Sequence, residues 1–375
     1  MSGIIPDAVG AGVTRFGSWR NLNTREITMT VPVRLNGREL RPHKATIFPT
    51  LDARTVLTNS PWEFVSLWLR RQKQSDALFY WNQAQQFSRA SIGLDIQSAP
   101  LLHYYSFMNA AKALLAAKGV GFLEKHGVSA DSPSGSNRID IANESVRIHH
   151  DGVLPSLAKY LNDTDTKSCH TLQELLFNLP YVHRTYCLTY RRQSEMFFPL
   201  TECMYVFDST TKEVFLSAKL SSHFSTRRHI KKLPPGLGQD PTGKDHRAIR
   251  STATVSVKKA IVTSDNDILN LVSLNKSIHQ DLTYINGTQT LWYAKAIVAG
   301  PVRLNRSPLT VTLAAMHRLS EICRYRPLQL DKFLSGQRNW LLSEFINMAP
   351  AQFIDGIAAE ITGHQFMLPN VRPAT

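Results

Sequence analysis

Apolar positions first recur with a period of two, in ITMTVPVRL and RELRPHKATIF, and Asn36-Gly37 between them supplies the positive φ angles of a two-residue turn. This pattern predicts a β-hairpin near the N-terminus. Pro32 and Pro42 remove amide donors, so these strands belong at a sheet edge. From Ser60 the period becomes helical. Ser60-Pro61-Trp62-Glu63 joins a cap, a first-turn proline and a capping-box glutamate ahead of FVSLWLRR. A second start at Ser75-Asp76 leads into ALFYWNQAQQFSRA. A third follows Ser98, with Pro100 in its first turn, and LLHYYSFMNAAKALLAAK runs to a stop at Gly119. On this third helix Leu101, Tyr104, Met108, Ala111 and Leu115 form the stripe to be buried, beside a polar line of Tyr105, Asn109 and Lys112.

The next stretch, VGFLEKHGVSADSPSGSNR, is rich in Ser, Pro and Gly, which predicts an exposed, mobile loop over residues 129–137. Thr171 with Glu174 forms a capping box before a short helix that ends at Pro180. Between Tyr181 and Thr263 the signal is strand: CMYVF, EVFLSAKL and ATVSVKKAIV carry β-branched and aromatic residues. Helical character returns at Ser264-Asp265 and at Ser307-Pro308, the latter stopped by Pro327, and residues 331–362 read as one or two short helices. The fold class expected is α+β, a mainly helical core with an N-terminal β-hairpin and an inserted β-rich segment. Four regions follow: a hairpin region 1–58, a helical region 59–180, a β-rich insertion 181–263, and a C-terminal helical region 264–375 packing on 59–180.

The 375 residues contain no apolar run of membrane-spanning length, and the first residues lack a basic segment followed by a long apolar one. A soluble cytoplasmic protein with no membrane association is expected. Cys169, Cys187, Cys203 and Cys323 are widely spaced with no CxxC pair, which predicts reduced thiols and no metal site. Lysine and arginine outnumber acids by 43 to 29, and the excess of 14 favours anionic partners. Half of it falls between Ser221 and Ala260, where Arg227, Arg228, Lys231, Lys232, Lys244, Arg247, Arg250, Lys258 and Lys259 face only Asp240 and Asp245.

Candidate chemistry is sparse. Gly238 to Lys244 matches the first seven positions of a phosphate-binding P-loop, but Asp245 stands where Ser or Thr must hold magnesium and KKLPPGLG offers no entering strand. No cofactor is expected. Arg38 and His43 have the spacing of the RxxxxH motif of helical ribonucleases, yet they bracket Pro42 in a strand-like segment. The best remaining catalytic candidates are His103, Lys112 and His126, with Tyr105 and Asn109 as pocket residues.

The run from Pro100 to Leu115, the later Lys125-His-Gly-Val-Ser, the tail from Leu319 to Pro327, and Glu344-Phe-Ile with Glu360-Ile-Thr-Gly resemble the YaaC-like family of bacterial proteins over roughly residues 60–365. That resemblance implies a bacterial cytoplasmic protein and carries no reaction with it. The helix after Pro100 also looks like the equivalent helix of HEPN domains, helical units that in many cases cut RNA in toxin and phage-defence systems. The leading expectation is a nucleic-acid-associated protein, a component of a defence or stress system, whose HEPN-like helices carry a β insertion with a phosphate-contacting loop of Arg227, Arg228, Lys231, Lys232, Lys244, Arg247 and Arg250. The alternatives are a ribonuclease or transferase using His103, Lys112 and His126, and an interaction subunit whose basic surface meets an acidic protein. RNA or DNA, a protein partner and self-association all stay open as partners.

Overall fold

The computed structural model describes residues 30–58, 60–131, 140–243 and 245–367. The chain opens with β1 (Thr30–Pro32), β2 (Arg34–Leu35), β3 (Arg38–Glu39) and β4 (Val56–Leu57), then forms α1 (Pro61–Arg71), α2 (Ser75–Ala90) and α3 (Ala99–Ala117). Next come β5 (Val128–Asp131), β6 (Ser145–Ile148), α4 (Val153–Tyr160), β7 (Cys169–Thr171), α5 (Leu172–Phe177) and α6 (His183–Thr189). The central strands are β8 (Phe197–Asp208), β9 (Glu213–Leu220), β10 (Leu237–Gln239), β11 (Ala248–Ser251), β12 (Val255–Ser256) and β13 (Ile261–Val262), with α7 (Arg227–Ile230) between β9 and β10. The chain closes with α8 (Asp265–Ile278), β14 (Leu282–Ile285), β15 (Leu291–Lys295), α9 (Pro308–Tyr325), α10 (Pro327–Ser335), α11 (Asn339–Thr362) and β16 (Phe366–Met367).

The expectation of a mainly helical core is corrected by the largest sheet. Helix accounts for 44% and strand for 19%, and eight strands join in one curled antiparallel sheet. Its order is β10-β11-β9-β8-β15-β14, with β1 added on β8 and β12 on β9. Two of its strands, β14 and β15, arise in the stretch read as a helical region, and β1 arrives from the N-terminal segment. Pairing between distant segments leaves no mark in a local window, which is why the strand content was undercounted.

Two apolar cores result. In one, α3 is buried nearly all round because α2, α9 and α11 all pack on it. Tyr104, Met108, Ala111 and Leu115 of its expected stripe are buried, but so are Phe107, Ala110 and Leu114 on other faces. In the other, Val214, Leu216, Ala218 and Leu220 alternate along β9 onto Leu271, Leu274 and Ile278 of α8. The opposite face of β8 and β15 sends Phe197 and Tyr293 into the helical core, so the sheet joins the two layers.

Local signals set several boundaries. Asn36 and Gly37, at φ 51° and 77°, turn β2 into β3, but each strand is only two residues long because Leu40 leaves to pair with Val33 and Tyr205. Thr171 and Glu174 close a reciprocal capping box on α5. Of the P-loop-like run, Gly238 and Gln239 end β10 and residues 240–243 turn away from it, with Asp240 accepting from the Thr242 amide, and the described residues from Asp245 to β11 form no helix. The C-terminal helices differ from the short ones expected: α11 runs 24 residues with Pro350 inside it. Of the loop expected to be mobile, Ser129–Asp131 belong to β5, and residues 132–137 lie outside the described residues.

Candidate functional site

The basic segment divides. Arg227, Arg228 and Lys231, on and just after α7, are exposed and have no carboxylate within ion-pair distance among the described residues. Lys232 beside them is half-buried. Arg247 turns back on Asp245, with Nε 3.4 Å from its carboxylate, and the same carboxylate lies 3.6 Å from Lys219. Arg250 lies flat over the Phe215 ring on the open face of the sheet. Lys244 lies outside the described residues. Three free cations therefore gather at α7, while two others are engaged locally.

The polar helix set divides too. Tyr105 stacks on Phe87 of α2, and the buried Asn109 amide donates to the Tyr105 carbonyl one turn earlier on α3. His103 lies against Phe107, and burial pushes its imidazole down to about 4. Lys112 and His126 do approach each other, together with residues that sequence reading left out. The Tyr104 hydroxyl is hydrogen-bonded to His126 Nδ1, and the Tyr104 ring meets His317 of α9 edge to face. His317 is buried and held near 3 by desolvation, then by His126 and Arg318. Burial, Lys112 and Arg324 lower the imidazole of His126 as well. Underneath, the buried Glu144 carboxylate accepts from Arg318, Arg326 and Gln329 at 2.6–2.7 Å.

Glycine places His126. Gly127 at φ 74° and Gly152 at φ 112° touch backbone to backbone, and a Cβ on Gly152 would run into the Gly127 main chain. That approach lets His149 donate to the Gly127 carbonyl and Val153 to the Lys125 carbonyl. Arg38 and His43, by contrast, form no catalytic pair. Arg38 donates to the Asp52 carbonyl, and His43 is buried, accepts from the Ala45 amide and is held near 3 by desolvation, then by His279.

A cavity of about 820 Å³ lies where the curl of the sheet meets the helical layer. The starts of β10 and β14, the end of α8, the segment 303–309 leading into α9, and one side of α11 enclose it. Five cations line it (Lys44, Lys276, Lys295, Arg303 and Arg306) against three acids, Asp163, Asp281 and Glu360. Asp281 closes the curl: its carboxylate accepts from the Gly236 amide at 3.1 Å on one side and from Arg303 at 2.8 Å on the other. Asp163 accepts from the Ser307 amide at 2.7 Å through one oxygen. Its other oxygen is buried, with the Arg306 guanidinium 3.9 Å away and the Thr310 hydroxyl beside it, and burial lifts its carboxyl to about 6. The Nε of Arg303 is buried without an acceptor. None of these residues was selected from sequence. The available signal was Lys295 itself, a charged residue at an apolar beat of the alternating strand LWYAK.

The profile of the YaaC-like protein family matches residues 51–361. The chain belongs to this family. Nothing matches among curated proteins or among solved structures. The matched span of this YaaC-like protein includes Asp163, Lys295, Arg303, Arg306 and Glu360 of the cavity and all of the His126–Tyr104–His317 cluster, and it leaves out Lys44. Among the described residues no group of three or more His, Cys, Asp or Glu side chains is arranged to hold a metal ion, and no helix is long and apolar enough to cross a membrane. The four cysteines are free thiols. What this YaaC-like protein offers chemically is positive charge from Lys276, Arg303 and Arg306 around an enclosed space, with a guanidinium nitrogen on its wall that protein groups leave unmatched.

Proposed function

We propose that this YaaC-like protein binds a small molecule carrying negative charge in the cavity between the curled sheet and the helices. One observation carries the reading: Lys276, Arg303 and Arg306 bring positive charge to the wall, and the Arg303 guanidinium retains a buried nitrogen without a hydrogen-bond partner. An unmatched buried polar atom costs about 1–3 kcal/mol, and a ligand that bonds to it removes the cost. The volume falls within the usual range for small-molecule sites. Thermal denaturation of the full chain with inorganic phosphate, nucleoside monophosphates and short carboxylic acids tests it. A ligand present at about 100 times its Kd adds about 2.7 kcal/mol of stability, so binding raises the melting temperature. The rise is expected to vanish when Arg303→Leu removes one wall cation. No shift with any of these anions at millimolar concentration removes the proposal.

A second reading is polyanion binding at α7, favoured by the three exposed cations there with no carboxylate beside them. Affinity for single-stranded RNA is then expected at about 50 mM salt and falls steeply with added salt as counterions are released. The triple substitution of Arg227, Arg228 and Lys231 to Ala should abolish it. Undetectable binding to both RNA and DNA at low salt ends this reading.

A further inference from the structure

The two buried lysines on the cavity wall are treated in opposite ways. Lys44 has every hydrogen matched: its ammonium bonds Asp355 at 3.0 Å, Asn286 at 2.8 Å and the Phe366 carbonyl at 2.9 Å. This is a structural lysine, held as an ion by a buried ion. Lys295 is equally inaccessible, yet its Nζ has one protein acceptor, the Leu304 carbonyl, and no carboxylate within ion-pair distance among the described residues. A charged ammonium has three donor hydrogens and would leave two of them unmatched here. A neutral amine leaves one hydrogen and a lone pair, and the lone pair is a nucleophile. Asp163 lines the same cavity and is near enough to act on Lys295 electrostatically.

We propose that Lys295 is a reactive amine that forms an imine with a small carbonyl compound bearing an anionic group, taken up in this cavity. The inference rests on the binding reading above and names its ligand class. In the first step the Nζ lone pair adds to the carbonyl carbon while a proton passes from nitrogen to the carbonyl oxygen, giving a carbinolamine. In the second the C–O bond breaks, the oxygen leaves as water with a further proton, and the C=N bond forms. No oxidant, reductant or metal enters the balance. Asp163, which lies beyond direct contact with the amine, supplies the proton to the departing hydroxyl and recovers one from nitrogen through an intervening water, a role that suits a carboxyl lifted to about 6 near an amine pushed down to about 7 by its burial. Lys276, Arg303 and Arg306 on the wall receive the ligand's charge.

The test incubates the full chain with pyruvate, 2-oxoglutarate or dihydroxyacetone phosphate, reduces with borohydride, and maps the modified peptide by mass spectrometry. Lactate, 2-hydroxyglutarate and glycerol phosphate serve as counterparts that lack the carbonyl. The expected result is a stable adduct on Lys295 with at least one carbonyl probe, none with its counterpart, and none in Lys295→Met. Peptide mapping of the unmodified sequence gives the answer even if that variant fails to fold. Adducts spread over surface lysines with Lys295 unlabelled overturn the proposal. Thermal stabilisation by the probes without an adduct overturns the imine and leaves the binding reading standing. Neither stabilisation nor adduct overturns both. In Asp163→Asn, adduct formation is expected to slow at least tenfold and to keep the rise with pH that deprotonation of Lys295 imposes while losing the fall that ionisation of Asp163 imposes, a change that weaker packing alone would not produce.

Discussion

Removing an ammonium group from water costs several kcal/mol, and the molecule meets that cost differently at its two buried lysines. At Lys44 the cost is offset by a buried carboxylate, Asp355, with side-chain exposures of 0% and 2% for the pair. Deleting one member leaves an uncompensated charge. Asp355→Ala is therefore expected to cost about 3–5 kcal/mol in urea unfolding, whereas Lys44→Met with Asp355→Leu together costs far less. Equal losses for the single and double substitutions would refute this account. At Lys295 there is no such partner, and the ammonium is pushed down to about 7, first by burial and then by Arg303. An unfolded chain holds the lysine proton up to about pH 10.4. Between those values the unfolded state binds the extra proton, so this group's contribution to stability rises with pH through that window. The melting temperature is expected to rise relative to that of Lys295→Met as pH goes from 7 to 10, with other titrating groups cancelling in the comparison. A constant difference across that range would show that Lys295 stays charged.

Elements with purely local signals form where the sequence points. The Thr171 hydroxyl accepts from the Glu174 amide at 3.1 Å, and the Glu174 carboxylate accepts from the Thr171 amide at 3.2 Å. Thr171→Ala is expected to lose about 1 kcal/mol, with Thr171→Ser restoring most of it, as measured by urea denaturation. A loss under a few tenths would mean that α5 is held by packing alone. Elements that depend on distant pairing were not legible in this way. β14 and β15 form a short hairpin, but what fixes it is the register of β15 on β8, Trp292 opposite Leu200 and Ala294 opposite Phe198. The polar line on α3 was legible as polar, yet Tyr105 faces α2 while Lys112 nears His126, and only neighbouring elements decide between those faces.

At the level of the whole molecule, the two ends of the sheet meet beside the cavity, where Gly236 directly precedes β10 and Asp281 directly precedes β14. The Gly236 amide reaches Asp281 because glycine has no Cβ; a methyl group there would run into the Asp281 carboxylate. Gly236→Ala is expected to cost about 1–3 kcal/mol and to weaken whatever anion the cavity takes, since Asp281 also holds Arg303. Unchanged stability and unchanged ligand-induced stabilisation together would show that the curl does not depend on this contact.

The sequence by itself determined the pieces whose causes lie within a few residues: the Asn36-Gly37 turn, the starts of α1, α2, α3 and α9 at their Ser and Pro signals, the α5 capping box, the basic character of α7, and membership in a family through motifs spread over most of the chain. Tertiary structure decided the rest. Lys295, Asp163 and Arg303 come from β15, the loop after α4 and the entry to α9, and only Lys295 stands out in its own segment. They become a site only because the curl of the sheet against the helices withdraws them from water together, and desolvation of that kind depends on the whole surrounding shell rather than on neighbours in sequence.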